Sequence, residues 1–335
     1  MKKIKRQKNS LSPITGLTAC TSLIRTALHV PFIKDEKPVG ILIVSKPGMG
    51  KSMLLTRFHS DNIVLLNDLT GYGLERTVIE LEGKSCGYIV VPDMLKIMSR
   101  TKGWEAFLTL TNILLEEGLT SVRRFDINIK FKQPVHFGII TAITSDALRQ
   151  NLTYLTGIGF TSRFGIFNYD YEPSDYSRVE TLISRQAPDD NLVFEMDCAK
   201  MNADRVKVAV NADMAQYIRL LGRLMAASNG RAMSFRSISF ARRMAKGHAL
   251  VCGRKHVAFP DIEETLSLLP FFVSSNPAAT DLEYAILRGK RKADLIRRYT
   301  PEEILGAEKR LVTRRLSRNL LTSSKELLPF EPNGG

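Results

Sequence analysis

The chain has 335 residues, 44% hydrophobic and 24% charged, a composition that excludes whole-chain disorder and fibrous architectures. No apolar run approaches the roughly 18–20 residues that would cross a bilayer. The net charge of +14 points to a polyanionic partner only if it is concentrated, and it is. Residues 1–10 hold Lys2, Lys3, Lys5, Arg6 and Lys8 for +5, residues 288–318 hold +7, and the remainder is nearly balanced at +2. Cys20, Cys86, Cys198 and Cys252 show no CxxC spacing, which argues against a zinc site or disulfide frame and leads to the expectation of a reducing cytoplasm, while the lack of a bilayer-length apolar run leads to that of no membrane association.

In chain order, residues 1–13 read as a basic arm and Gly16–Leu28 as a helix. Val39–Val44 is a short continuous apolar run of the kind found in buried parallel strands. Helix Lys51–Phe58, strands Ile63–Asn67 and Gly87–Val91, helices Met94–Arg100 and Trp104–Glu117, strand Val135–Ala142, helix Ser145–Asn151 and strand Phe164–Tyr169 follow. That alternation predicts an α/β fold, a parallel sheet with helices on both faces. Between helix and strand, residues 120–131 alternate apolar and polar from Phe125 onward, the pattern of a hairpin. Beyond Ser174 the signals turn helical, at Asp175–Ser184, Ala212–Ala227, Phe235–Val251 and Pro260–Leu268. The expected organisation is an N-terminal arm and helix over 1–30, an αβα domain over 31–173, a smaller all-helical domain over 174–275 and a basic extension over 276–335.

The most specific local signal is Ser45-Lys46-Pro47-Gly48-Met49-Gly50-Lys51-Ser52 between a buried strand and a helix. Such a loop turns backbone N–H groups toward phosphates, with Lys51 reaching the β- and γ-phosphates and the Ser52 hydroxyl available to Mg²⁺. Glycines let the backbone approach closely; Ser45 stands where the usual pattern begins with glycine. An acid at the end of a second parallel strand is required to hold Mg²⁺, and Tyr88-Ile89-Val90-Val91-Pro92-Asp93 supplies Asp93. Asp93 also stands where it would cap the following helix.

Together these residues resemble the AAA+ ATPases, and within them the ATPase module of the minichromosome maintenance (MCM) helicases and their relatives, over roughly Pro38 to Leu269. The resemblance implies a P-loop αβα sandwich followed by a helical lid, with ATP and Mg²⁺ bound by Pro47, Gly48, Met49, Gly50, Lys51, Ser52 and Asp93. It implies a sensor 1 residue in Thr141-Ala142-Ile143-Thr144, with Thr144 the first candidate and Thr141 the alternative. Ser162-Arg163-Phe164 resembles the arginine-finger motif, in which Arg163 reaches a neighbouring subunit's nucleotide. Arg236, with Arg231 as the fallback, resembles sensor 2, and Val257–Leu269 resembles the final lid segment. The basic segment takes the place of the presensor-1 hairpin, implying nucleic-acid contacts at Arg123, Arg124, Lys130 and Lys132. A homo-oligomer, as hexameric ring or filament, follows from a finger acting in trans.

One departure stands out. The family's Walker B strand ends in Asp-Glu, whereas here Met94 follows Asp93, and a thioether cannot act as general base. Asp68 and Glu75 are the candidate substitutes. The expected function is an accessory, mobile-element, phage or defence ATPase acting on nucleic acid. The alternatives are a slow or non-hydrolysing ATP switch and a protein-remodelling chaperone.

Overall fold

A computed structural model describes residues 16–66, 73, 77, 86–123, 128–171, 173–184, 194–195, 205–228, 235–272 and 299–307. The expected basic arm therefore lies outside the described residues, as does all of the basic C-terminal segment except 299–307.

The chain enters through helix α1 (Thr18–His29), and strand β1 (Gly40–Ser45) leads into a short helix α2 (Lys51–Leu55). Helix α2 stops earlier than Lys51–Phe58, because Phe58 has already entered strand β2 (Phe58–His59). Strands β3 (Ile63–Leu65) and β4 (Cys86–Val91) precede helices α3 (Met94–Met98) and α4 (Thr101–Asn112). Helix α4 widens into a π-helical turn over Ile113–Glu117, closed by the Gly118 N–H donating to the Ile113 carbonyl at 2.7 Å. The glycine sits at φ +85, a backbone region that favours glycine.

Strand β5 (Leu119–Arg123) pairs antiparallel with the start of strand β6 (Asn128–Thr144), matching Ser121 with Lys130 and Arg123 with Asn128. The expected hairpin is present, but its second arm and the expected strand Val135–Ala142 are one continuous strand of 17 residues. Helices α5 (Ser145–Gly157) and α6 (Phe160–Arg163) lead to strand β7 (Phe164–Asn168) and helix α7 (Pro173–Ser184). After strand β8 (Phe194–Glu195), which pairs with β2, come helices α8 (Ala212–Ser228), α9 (Phe235–Val251) and α10 (Phe259–Phe272).

The main sheet runs in the order β3-β4-β6-β1-β7, parallel throughout, with β5 joined to β6 as the antiparallel exception. Its strands look continuously apolar because both faces are covered. Ile41 and Ile43 of β1, Tyr88 and Val90 of β4, and Ile140 and Ala142 of β6 face a core shared with α1, α8, α9 and α10. Leu42, Val44, Ile89, Val91, Ile139 and Ile143 face the opposite core, with Trp104, Phe107 and Phe160. The period of two thus partitions one apolar run between two cores. Helices α8–α10 share one continuous apolar cluster with α1 and the sheet. Close packing of α9 on α1 needs Gly247, where a Cβ would lie 2.6 Å from the Thr26 carbonyl oxygen.

Candidate nucleotide-binding site

The carboxyl ends of parallel strands gather at one edge, where open α/β sheets bind ligands. At that edge β1 delivers the loop 46–50, in which Gly48 and Gly50 take φ +77 and +74. The Lys51 ammonium folds back over the loop, donating to the Ser45 carbonyl at 3.0 Å, the Ser45 hydroxyl at 2.9 Å and the Lys46 carbonyl at 2.7 Å. Burial lowers the Lys51 pKa, and nearby Asp93 opposes that shift. Asp93 follows β4 and caps α3, its Oδ1 accepting from the Leu95 N–H at 3.0 Å. The Ser52 hydroxyl donates to the Pro92 carbonyl at 3.2 Å, tying the start of α2 to the end of β4. Pro47 and Gly48 are exposed, whereas Met49 is buried and fixes the loop from below.

Strand β6 lies between β1 and β4, with Ser45 opposite Thr144 and Val91 opposite Thr141. This register separates the two threonines. Thr141 is fully buried and its hydroxyl has no hydrogen-bond partner, while Thr144 is partly exposed at the strand's end and caps α5, accepting from the Ala147 N–H at 3.4 Å. Of the two, it is Thr144 that stands opposite Ser45, where β1 gives way to the loop. Met94 is wholly buried in the Trp104–Phe107 core, a packing position rather than a solvent-facing one. Asp68 and Glu75 lie outside the described residues, as does Arg231.

A second set of residues braces the loop and escaped sequence reasoning. Lys46 pairs with Asp170 at 2.8 Å, and Tyr176 donates to Asp170 at 3.0 Å. Tyr169 donates to the Met49 carbonyl at 2.5 Å, and Tyr171 to the same oxygen at 3.4 Å. Burial raises both phenols, Tyr171 to about 12, further above a physiological pH at which any phenol is already a neutral donor. The legible signal was the run Asn168-Tyr169-Asp170-Tyr171 leaving a parallel strand at its carboxyl end.

Arg163 and Arg236 come together, but not at Lys51. Arg163 precedes β7 and lies beside Gly40, the start of β1. The strand then runs five steps to Ser45, about 17 Å at a rise of about 3.3 Å per residue. At this far edge the Glu116 Oε1 lies 3.6 Å from Arg163 Nε and 3.3 Å from an Arg236 terminal nitrogen. Arg236 also donates to the Ser162 hydroxyl, Lys37 donates to the Glu116 carbonyl, and Arg163 donates to the Gly159 carbonyl at 2.9 Å. Lys37, Glu116, Ser162, Arg163 and Arg236 border a cavity of about 210 Å³ that Arg243 and Ser237 also line. Glu116, set at the end of a helix by sequence, lies within the π turn at 113–117 and is the counter-ion shared by Arg163 and Arg236.

Behind it, Glu36 is 3% exposed and receives Arg242 at 3.0 Å, Lys246 at 2.7 Å and Arg243 at 3.7 Å. Burial lowers the Arg243 pKa and Glu36 opposes the shift. On the hairpin, Lys130 and Lys132 are exposed while Phe131 between them is buried. Arg123 is the last residue of β5, and Arg124 lies outside the described residues.

Compared with known proteins, the chain matches no protein-family model, and no curated protein matches it significantly. Among the described residues, no helix is long and apolar enough to cross a membrane.

Proposed function

We propose that the chain is an oligomeric ATPase of the AAA+ kind, which binds ATP and Mg²⁺ between subunits and couples nucleotide state to binding, remodelling or translocation of nucleic acid. The observation that carries this reading is the grouping of Lys51, Ser52 and Asp93 at the carboxyl edge of a parallel sheet. The residues fit the nucleotide. Nothing stands within 4 Å of the position a Cβ would take on Gly48, so the loop offers open space, and a half-buried ammonium is already turned over it. Lys51 would neutralise phosphate charge, the backbone N–H groups of the loop would orient the phosphates, and the Ser52 hydroxyl and the Asp93 carboxylate oxygen not spent on the cap would hold Mg²⁺. The bound nucleotide supplies the transferable phosphoryl group. Thr144 is the polar group nearest the loop from the neighbouring strand.

Arg163 and Arg236 serve a different nucleotide. Their distance from Lys51 of the same chain suits a role in trans, in which both guanidiniums leave Glu116 and meet the terminal phosphate held by an adjoining subunit. Exposed Lys130 and Lys132 on the hairpin, with the basic ends, supply phosphate contacts to nucleic acid whose affinity falls with salt.

A second reading, a switch that binds ATP and hydrolyses it slowly, is favoured by Met94, which is buried and carries no base. ATP binding and turnover, measured with and without single- and double-stranded nucleic acid, separate the two. Nucleic-acid stimulation is expected for the first, and tight binding without turnover for the second. Lys51→Ala is expected to abolish binding, and unimpaired binding by that variant defeats the nucleotide assignment. Arg163→Ala is expected to retain binding and lose turnover.

A further inference from the structure

At the turn between α9 and α10 a second cluster stands apart from the loop and the arginine edge. His248 and Cys252 lie one helical turn apart, and the Cys252 sulfur is 3.8 Å from His248 Nε2. The other ring nitrogen, Nδ1, is 2.7 Å from Asp261 Oδ1. Asp261 is fully buried; it also accepts from the Arg254 guanidinium on Oδ1 and from the Ala258 N–H on Oδ2 at 2.8 Å. Burial by itself would raise the Asp261 carboxyl, but the hydrogen bonds from His248, Ala258 and Arg254 outweigh it and lower its pKa. An anionic acceptor draws the proton of the ring to Nδ1, which leaves the Nε2 lone pair facing the thiol.

Thiol, imidazole and buried carboxylate thus stand in the order of a nucleophile, its base and the group that orients the base. The thiol is exposed, and Arg25 of α1 lies within electrostatic range of it. Because Cys252 follows the carboxyl end of α9, the helix dipole gives an anion no help there, so the base has to be local.

Two other chemistries fit less well. The three side chains lie within 4.8 Å of one another, but Asp261 already holds a guanidinium on one oxygen and an N–H on the other, leaving a cation only two ligands. Acyl transfer needs donors for an oxyanion, and the N–H groups of Cys252, Gly253 and Arg254 already donate to the carbonyls of His248, Leu250 and Ala249. Exchange at sulfur needs neither.

We propose that Cys252 is a modification site for thiol–disulfide exchange with low-molecular-weight disulfides, with His248 as its base and Asp261 as the residue that positions the base. The Cys252 sulfur attacks one sulfur of R–S–S–R while its proton passes to His248 Nε2. The S–S bond breaks and its electron pair leaves with the second sulfur, which takes the proton from the imidazolium as R–SH. Cys252 is oxidised to the mixed disulfide and one R–S group is reduced. Arg25 favours an anionic R group such as that of glutathione.

The test follows Cys252 by peptide mass in the full chain treated with oxidised glutathione, using the same chain unfolded in urea as reference, since unfolding removes the organised base. Native Cys252 is expected to react at least about tenfold faster than in the unfolded chain, a modest share of what a positioned base supplies. His248→Gln is expected to lose that advantage with its thermal unfolding curve retained, and Cys252→Ser to give no adduct on that peptide. A native rate no greater than the unfolded rate overturns the proposal, as does a folded His248→Gln that reacts as fast as the parent. Should His248→Gln fail to fold, the native-to-unfolded ratio of the parent decides alone.

Discussion

Glu116→Gln isolates the charge that holds the two arginines at the sheet's far edge. The carboxylate faces Arg163 at 3.6 Å and Arg236 at 3.3 Å, with the Glu116 side chain 40% exposed and the arginines 22% and 52% exposed. Ion pairs this open to water contribute about 0.2–1 kcal/mol each, so the two together hold the arginines by about 1 kcal/mol. Glutamine keeps the volume and a hydrogen-bonding carbonyl while removing the charge. In the proposed oligomer, freeing the guanidiniums makes their transfer to a neighbour's phosphate easier by that amount, about fivefold in an equilibrium constant. Steady-state ATP turnover measured against protein concentration is therefore expected to reach half-maximum at up to about fivefold lower concentration. Urea unfolding is expected to change by less than about 1 kcal/mol. The shift is expected to shrink as salt screens the pairs in the parent. An unchanged or increased half-maximal concentration, with the fold intact, refutes the view that Glu116 competes with phosphate for Arg163 and Arg236.

Glu36→Gln is expected to destabilise far more, by about 2–3 kcal/mol in urea unfolding, because it leaves three cations facing a buried site; the figure is set below the 3–5 kcal/mol typical of a broken buried pair because Arg242 stays 42% exposed. A loss under about 0.5 kcal/mol, the range of ordinary surface changes, contradicts that reading. For Asp261, whose folded pKa is lowered from the model-compound value of 3.8, the stabilising contribution is present above the unfolded value and is lost as pH falls through the folded one. Unfolding free energy is therefore expected to drop on acidification below about pH 4, and Asp261→Asn is expected to flatten this part of the profile. An identical acid slope in parent and variant counts against it.

The parallel sheet was legible because its cause is local. Val39–Val44 and Gly87–Val91 carry apolar residues at every position that a doubly covered strand buries, and the turn chemistry of Gly48 and Gly50 ends one of them in a loop ahead of Lys51. Asp93 could be placed beside Lys51 for the same reason, since parallel strands bring their carboxyl ends to one edge. The hairpin was legible from alternation, though alternation could not reveal that its second arm runs on into the central strand β6.

What no local pattern contains is which distant side chains meet. Sequence kept Thr141 as an alternative to Thr144, and the pairing of β6 with β1 and β4 buried the first and left the second at the loop. Glu116 met Arg163 and Arg236 through a π turn and the packing of α9, and Glu36 met Arg242, Arg243 and Lys246 across more than 200 positions. The sequence by itself determined the alternation of elements, the glycine-bearing loop ahead of Lys51 and the concentration of charge at the ends, because these depend on nearest neighbours and counts. Only the tertiary structure decided that Arg163 and Arg236 lie a strand's length from Lys51, because that separation depends on which end of β1 each element reaches when the sheet is assembled.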